Sequence, residues 1–356
     1  MRKTIYIVDP VCPKYYDLDI LENEGMGASE SYLLYNLLEI INHKKVDNYQ
    51  FIFFQDTSEK TIEYVAGDNN TIIFEPLNMI LEYENLDPET IILQRNPKLL
   101  NYFNRIYPTA NLILYCHDFF EGGGLQLLKT KELRKIVDMK VKFLCVSNWH
   151  QFNILDNLKL HGIQYDEVNI DYIYFSFNEK IIKSKRDPYK LCYFSAHHKG
   201  LRHALTIFKK LHEINSKFKL VVASPTYSEY EIENTGGIEL KRNLPREDVL
   251  KEISSSLCLL HPNNEYPETF GCVNMEANAL GIPVLCYDYG ATGEIIKDKS
   301  QFINPKTYLF DPYDMRTAID MILSWNKKMP TIKETHPELK TNNVIEKWLN
   351  LLMITS

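Results

Sequence analysis

Short runs of β-branched and aromatic residues alternate along the chain with longer amphipathic stretches. The first run is TIYIV (4–8), followed by a helical pattern over about 29–42 and then YQFIFFQ (49–55). The alternation continues through NTIIFEP, TIILQR, a helix from Pro97 to near Arg105, NLILYCHD, a helix over 130–138, KFLCVS, a helix from 148 to about 160, and DYIYFS. Runs that are apolar at every position mark strands buried on both faces, and helices between them predict a parallel sheet covered on each side. After the charged segment NEKIIKSKRDPYK (178–190) the rhythm restarts with KLCYFS, a helix over 201–215, FKLVVAS, IELKRNL, a helix over 246–255, SLCLLHP, a helix over 271–280 and PVLCYD. The chain of 356 residues also exceeds the ~250 to 300 at which single cores stop growing. The expected architecture is therefore α/β, with two facing, Rossmann-like, doubly wound domains at 1–177 and 178–330. Segment 331–356 carries a last amphipathic helix near 343–353 (Val344, Trp348, Leu351, Leu352), expected to cross back and pack on the N-terminal domain.

Open parallel sheets bind ligands beyond the carboxyl ends of their strands, so the informative residues are expected just after strands, with an interdomain cleft as the default site. Gly25-Met26-Gly27-Ala28-Ser29-Glu30 opens the first strong helix, with Ser29 as a candidate N-cap. Amides at such a start favour a phosphate or sugar hydroxyl, although Glu30 in the first turn competes with an anion and the spacing departs from the dinucleotide fingerprint. His117-Asp118 follows NLILYC, which puts an imidazole at a strand mouth beside Glu121-Gly122-Gly123-Gly124, a mobile or close-approach loop. In Ser195-Ala196-His197-His198-Lys199-Gly200, Lys199 offers a positive point charge to a pyrophosphate, with Arg202 as a second donor. The adjacent histidines lack the partners that a metal site needs.

The stretch HPNNEYPETFGCVNMEANALGIPV (261–284) places Glu268 and Glu276 eight positions apart. On one helix that would separate them by about 12 Å at ~1.5 Å per residue, beyond the ~5 to 9.5 Å of a glycosidase pair. Pro267 and Gly271 instead put Glu268 in a loop and Glu276 in a helix, flanking a helix start whose Phe270, Gly271 and Cys272 amides are available to a ligand. Carboxylates there suit the hydroxyls of a ribose and a hexose. Asp17-Leu18-Asp19 spells the Asp-x-Asp of metal-dependent sugar transferases, but it arrives after a single strand and before the Gly25–Gly27 loop.

A net charge of −7 leaves no basic field of the kind that gathers nucleic acid. The seven cysteines are dispersed without a Cys-x-x-Cys, which reads as reduced packing thiols and a cytoplasmic location. TIYIV is too short for a signal-peptide core, and no run approaches the ~20 apolar residues of a membrane span, which leaves peripheral contact with a bilayer open.

The chain resembles the family 4 glycosyltransferases of the GT-B fold over nearly its whole length. HPNNEYPETFGCVNMEANALGIPVLCYDYGATGEII is similar to the family's Pro-Ser, Glu-x-Phe-Gly, Glu-Ala, Gly-x-Pro-Val and Gly-Glu sequence in order and spacing. Weaker likenesses are GMGASE to a Gly-Gly-x-x-Glu loop, CVSNWHQFNIL to the last helix start of the first domain, and HKGLRHAL to a phosphate-site Lys-Gly. The resemblance implies a retaining transfer of a hexose from a UDP-, GDP- or ADP-sugar to a glycan, lipid or small-molecule acceptor, with no cofactor or metal required. It implies that Glu276 binds the ribose, and that Glu268 with the Phe270, Gly271 and Cys272 amides holds the sugar. Lys199 then meets the diphosphate, His117 touches the sugar near its reactive face, and Gly27 approaches the phosphates. Base contacts are expected near Arg242 to Leu244, and acceptor contacts in loops 9–27 and 118–130. Two departures stand out: Phe194-Ser195 lies where the family carries an Arg, and IYFSFN (173–178) replaces Ile-Pro-Asn-Gly-x-Asp. They keep two other readings open, a nucleotide-sugar 2-epimerase and a catalytically silent binding protein of the same fold.

Overall fold

The computed structural model describes residues 2–66, 69–83, 85–177, 182, 184–224, 232, 236–242, 244–304, 312–333 and 335–353. Residues 178–181 and 183 of the 178–190 connecting segment and the position of Asn243 therefore lie outside the described residues. In chain order the first half comprises β1 (Lys3–Asp9), α1 (Leu18–Asn23), α2 (Ala28–Ile41), β2 (Tyr49–Gln55), β3 (Ile62–Ala66), β4 (Asn70–Pro76), β5 (Thr90–Gln94), α3 (Leu100–Ile106), β6 (Asn111–Tyr115), α4 (Thr130–Asp138), β7 (Lys142–Cys145), α5 (Asn148–Leu160) and β8 (Ile170–Tyr172). The second half comprises β9 (Lys190–Phe194), α6 (Leu201–Ile214), β10 (Lys219–Ser224), β11 (Ile238–Arg242), α7 (Arg246–Ser254), β12 (Cys258–His261), α8 (Cys272–Ala279), β13 (Val284–Cys286), α9 (Thr292–Ile295), α10 (Pro312–Lys328) and α11 (Thr341–Leu351).

Two sheets result. The first has the order β3-β4-β2-β1-β5-β6-β7-β8, parallel throughout except for β3, which pairs antiparallel with β4 at one edge. The second has the order β11-β10-β9-β12-β13 and is wholly parallel. Strand β9 shows why its sequence is apolar at every position after Lys190. Leu191 and Tyr193 face one core with Ala204, Ile207 and Phe208 of α6, while Cys192 and Phe194 face another with Ala277 of α8. A strand with cores on both faces has no side left for polar residues.

The chain divides into two compact units: Met1–Asp17, Tyr32–Phe175 and Asn342–Ser356 form one, and Leu18–Ser31 with Ser176–Thr341 form the other. The boundary falls at Phe175 rather than at 177, the loop carrying Gly27 groups with the second unit, and 331–341 stays with the second unit, so that only residues from Asn342 onward return to the first. Trp348 of α11 is buried and packs edge-on against Tyr115 of β6, with ring centroids 5.5 Å apart. Lys347 lies over the Tyr172 ring at 4.8 Å, and Lys45 meets Glu346 at 3.1 Å. Helix α2 begins at Ala28, so Ser29 is inside the first turn and does not cap it; the Ser31 amide and hydroxyl both donate to the Gly27 carbonyl instead. All seven cysteines are free thiols and six are buried. Among the described residues no helix is long and apolar enough to cross a membrane.

Candidate functional site

In the second unit, three neighbouring strands deliver their following loops to one edge of the sheet. The β9 loop is shaped by Tyr193, whose buried hydroxyl lies 2.6 Å from the Ala196 carbonyl and 3.1 Å from that of Lys199. Gly200 ends this loop as the N-cap of α6 at φ +86°, and a Cβ there would come within 2.6 Å of the Pro262 carbonyl oxygen. Only glycine meets both conditions, so the loop after β9 is pressed against the loop after β12. Asn263 organises that second loop. Its Oδ1 accepts from the Glu265 and Tyr266 amides at 3.3 and 3.2 Å, and its Nδ2 donates to the Tyr266 carbonyl at 2.6 Å.

These loops bring Lys199 Nζ to 3.0 Å from Glu268 Oε2, with the Glu268 side chain 6% exposed and Lys199 26%. His261, at the end of β12, places Nε2 3.5 Å from Glu268 Oε1. Burial pushes the Glu268 carboxyl up, but the Lys199 ammonium, His261 and His198 together outweigh it and hold the group below the usual carboxylate range. Burial lowers His261, although the Glu268 charge pulls the other way. The Glu268 backbone is held from a third side: Gly290, after β13, bridges to it and has φ +66°, and the Ala291 amide donates to the Glu268 carbonyl at 2.7 Å. A side chain on Gly290 would strike the Glu268 backbone.

Gly271 is the N-cap of α8, and Phe270 before it is buried. Cys272, the first residue of the helix, is half-buried; burial and then the Glu276 charge raise its thiol well above the ordinary range. Glu276 is buried one turn further along, with Oε1 2.7 Å from Arg246 of α7. Arg246 carries no motif and was legible in the sequence only as a helix start. Arg202 is not drawn to Lys199. Its guanidinium takes Glu265 at 2.9 Å and its side chain is 75% exposed. Each of the two predicted glutamates thus has a cation of its own.

In the first unit His117 is buried just past β6. Its Nε2 lies 2.9 Å from Gln94 Oε1, and its ring lies against Tyr115 at 4.2 Å and stacks at 6.4 Å on Phe175, which belongs to the IYFSFN departure. Burial, then the Arg95 charge and His150, push His117 well below the ordinary histidine value. The next residue is braced: Asp118 Oδ2 meets Arg95 Nε at 3.3 Å, and its carbonyl lies 2.8 Å from His150 Nε2. His150 is brought there by Ser147, which caps α5 by accepting from the His150 amide, and burial lowers this histidine to about 4. A Cβ on Gly124 would come within 2.9 Å of the Arg95 carbonyl, so this glycine serves close approach.

Gly27 lies under the Glu30 carboxylate, which occupies the space where its Cβ would point. Asp17 is buried and accepts from the Tyr15 hydroxyl at 2.9 Å, while Asp19 belongs to α1. Among the described residues no group of three or more His, Cys, Asp or Glu is placed to hold a metal ion.

Residues 177–339 match the family model described as glycosyl transferases group 1. No curated protein matches the chain. Among solved structures, it is similar to the pneumococcal O-GlcNAc transferase GtfA in complex with UDP and GlcNAc, at 11% identity, 99% coverage of both chains and a TM-score of 0.65. Sucrose-phosphate synthase from Thermosynechococcus elongatus is similar at 11% identity, with 99% of this chain and 98% of that one covered and a TM-score of 0.65. Anabaena Alr3699/HepE in complex with UDP and glucose is similar at 13% identity, with 98% and 99% covered and a TM-score of 0.62. The chain has the GT-B fold of two Rossmann-like α/β domains, and its second unit carries the match to glycosyl transferases group 1.

Proposed function

We propose that the protein is a metal-independent, retaining glycosyltransferase that moves a hexose from a nucleoside-diphosphate sugar to an acceptor hydroxyl. The observation that carries this reading is the Lys199–Glu268 pair, held at 3.0 Å by loops after adjacent strands beside the N-terminus of α8, within the matched residues 177–339. The similar structures containing UDP with GlcNAc or glucose support a nucleotide-sugar donor. In this reading Lys199 and the amides at the start of α8 stabilise charge growing on the departing phosphate, the step that needs most help. Glu268 then exchanges part of its contact with Lys199 for a sugar hydroxyl, and Glu276 accepts from the ribose. His117 contacts the sugar, and Gly27 approaches the phosphates only if Glu30 gives way. Phe194-Ser195, where an Arg is expected, leaves Lys199 as the principal cation.

Isothermal titration with UDP, GDP and ADP in the presence of EDTA tests the donor site. Binding of at least one diphosphate, weakened about tenfold or more by Glu276→Gln, is the expected result; no binding to any of the three sinks the proposal. Incubation of the corresponding nucleotide sugars without acceptor separates the rivals. Epimer formation identifies an epimerase, and hydrolysis at background with binding intact favours a silent binding protein.

A further inference from the structure

Four neighbouring strands of the first sheet, β2, β1, β5 and β6, end in polar residues: Gln55, Asp9, Gln94 and, two positions past Tyr115, His117. All four are buried. Tyr16 joins them. Its amide donates to Gln55 Oε1 at 3.1 Å, and its carbonyl accepts from Gln55 Nε2 at 2.7 Å, which fixes its backbone. Its hydroxyl lies 3.0 Å from Asp9 Oδ2 and 3.1 Å from Gln94 Nε2, and Gln94 Oε1 lies 2.9 Å from His117 Nε2.

The direction of each bond follows from the carboxylate end. A carboxylate oxygen only accepts, so the single Tyr16 hydroxyl proton goes to Asp9. The Tyr16 oxygen then accepts from Gln94, which puts the amide nitrogen on that side and leaves the amide oxygen for His117. An amide oxygen also only accepts, so His117 donates from Nε2. The proton therefore resides on Nε2 and the lone pair on Nδ1, and whatever bonds Nδ1 must bring a proton. A phosphate oxygen or carbonyl cannot do so, whereas a sugar hydroxyl can.

We propose that Asp9, Tyr16 and Gln94 are positioning residues that hold His117 as the Nε2–H tautomer, so that Nδ1 accepts a hydrogen bond from a carbohydrate hydroxyl. The ligand half rests on the glycosyltransferase reading, and the tautomer half stands without it. The polarity reverses if the carboxylate end is changed. In Asp9→Asn the side-chain amide can donate to Tyr16, Tyr16 to Gln94, and Gln94 to His117 Nε2, which moves the proton to Nδ1. Tyr16→Phe removes the link altogether, and its ring keeps the packing against Phe53.

The experiment is nitrogen-15 NMR of the full chain labelled at histidine, with the His117 signals assigned by loss in His117→Gln. The wild-type protein is expected to show a protonated Nε2 and an unprotonated Nδ1, and at least one of Asp9→Asn and Tyr16→Phe is expected to introduce Nδ1–H character. A wild-type Nδ1–H tautomer, or an His117 signal unchanged in both variants, overturns the positioning role. Saturation with UDP-glucose, but not with UDP, is expected to move the Nδ1 resonance as it accepts a hydroxyl proton; a resonance that stays in place with UDP-glucose bound overturns the ligand contact. If neither compound binds, the titration is repeated with GDP- and ADP-glucose; binding of none of the three donors makes the glycosyltransferase reading fail instead, while the tautomer result stands by itself.

Discussion

The carboxyl ends of the two sheets are built from different chemistry. In the first unit the buried polar groups form a chain of neutral donors and acceptors, His117, Gln94 and Tyr16, ending in the single carboxylate of Asp9. In the second unit two buried carboxylates each face a cation, Glu268 with Lys199 and Glu276 with Arg246. A neutral network is directional: it sets which atoms donate and which accept. Paired charges set field strength, and they are costly to break because a buried partner is left without compensation. The first unit is thus suited to orienting a neutral group and the second to handling an anion.

Removal of Lys199 is the strongest test of that difference. Lys199→Met is expected to lower turnover of a nucleotide sugar about 10²- to 10³-fold, the cost of losing one preorganised donor at developing charge. It also strands the Glu268 carboxylate, so the variant melts at a lower temperature, and Lys199→Met/Glu268→Gln regains stability without regaining turnover. A loss of turnover under fivefold breaks the assignment of field strength to the second unit.

Acid sharpens the contrast from the other side. His117 and His150 are held neutral by burial, His150 down to about 4. Their unfolded value is near 6.5, so on acidification below it the unfolded state takes up protons that the folded state refuses, and stability falls with pH. For His150 the loss between pH 6.5 and 4 is on the order of 3 kcal/mol. Glu268 behaves oppositely in position: its folded value lies below the ordinary carboxylate range, so its contribution is kept until the pH falls through that lower value. His261 in the second unit pulls with the first-unit histidines, but Glu268 offsets part of its shift. Hydrogen exchange at pH 7.5 and 5.5 is expected to show protection lost earlier in β5, β6 and β7 than in β9 and β12; equal loss in both sheets contradicts the contrast.

Arg246 comes next. Arg246→Ala leaves Glu276 buried without its cation and is expected to cost on the order of 2 kcal/mol, below the fully buried case because the arginine is partly solvated. Nucleotide affinity should fall with it, and less for a 2′-deoxy nucleotide, whose missing hydroxyl makes a misplaced Glu276 matter less. Equal losses for the ribose and deoxyribose forms would detach Arg246 from ribose recognition.

How much of this was readable beforehand depends on the kind of signal. Strands such as YQFIFFQ and NLILY announce themselves because both faces are buried, and they appear as β2 and β6 at nearly the expected bounds. Strand β3 did not, because it is an edge strand with alternating, partly exposed IEYVA. Helix α10, PYDMRTAIDMILSWNKK, follows no strand in the expected rhythm and was missed. Glu268 and Lys199 were legible as loop residues after strands, and the structure brings them together. Arg246, His261 and Gly290 were not, since their roles depend on contacts across 7 to 30 positions that no spacing encodes. The Asp9–Gln94–His117 chain left one trace that could have been used: polar residues ending neighbouring strands, visible only when strand order is known.

The smallest expected effect concerns Arg202, a residue whose motif position suggested more than its surroundings support. It follows Lys199-Gly200 at the start of α6, where a second phosphate cation could stand. Its guanidinium instead meets Glu265 at 2.9 Å with the side chain 75% exposed. Exposed pairs of this kind contribute little because water screens both charges and ordering two long side chains costs entropy. Arg202→Ala is therefore expected to change diphosphate affinity less than about twofold. If that substitution instead weakens binding tenfold while Lys199→Met does little, the guanidinium leaves Glu265 when donor arrives, and the cation that meets the phosphate belongs to the rim of the loop rather than to its buried pair.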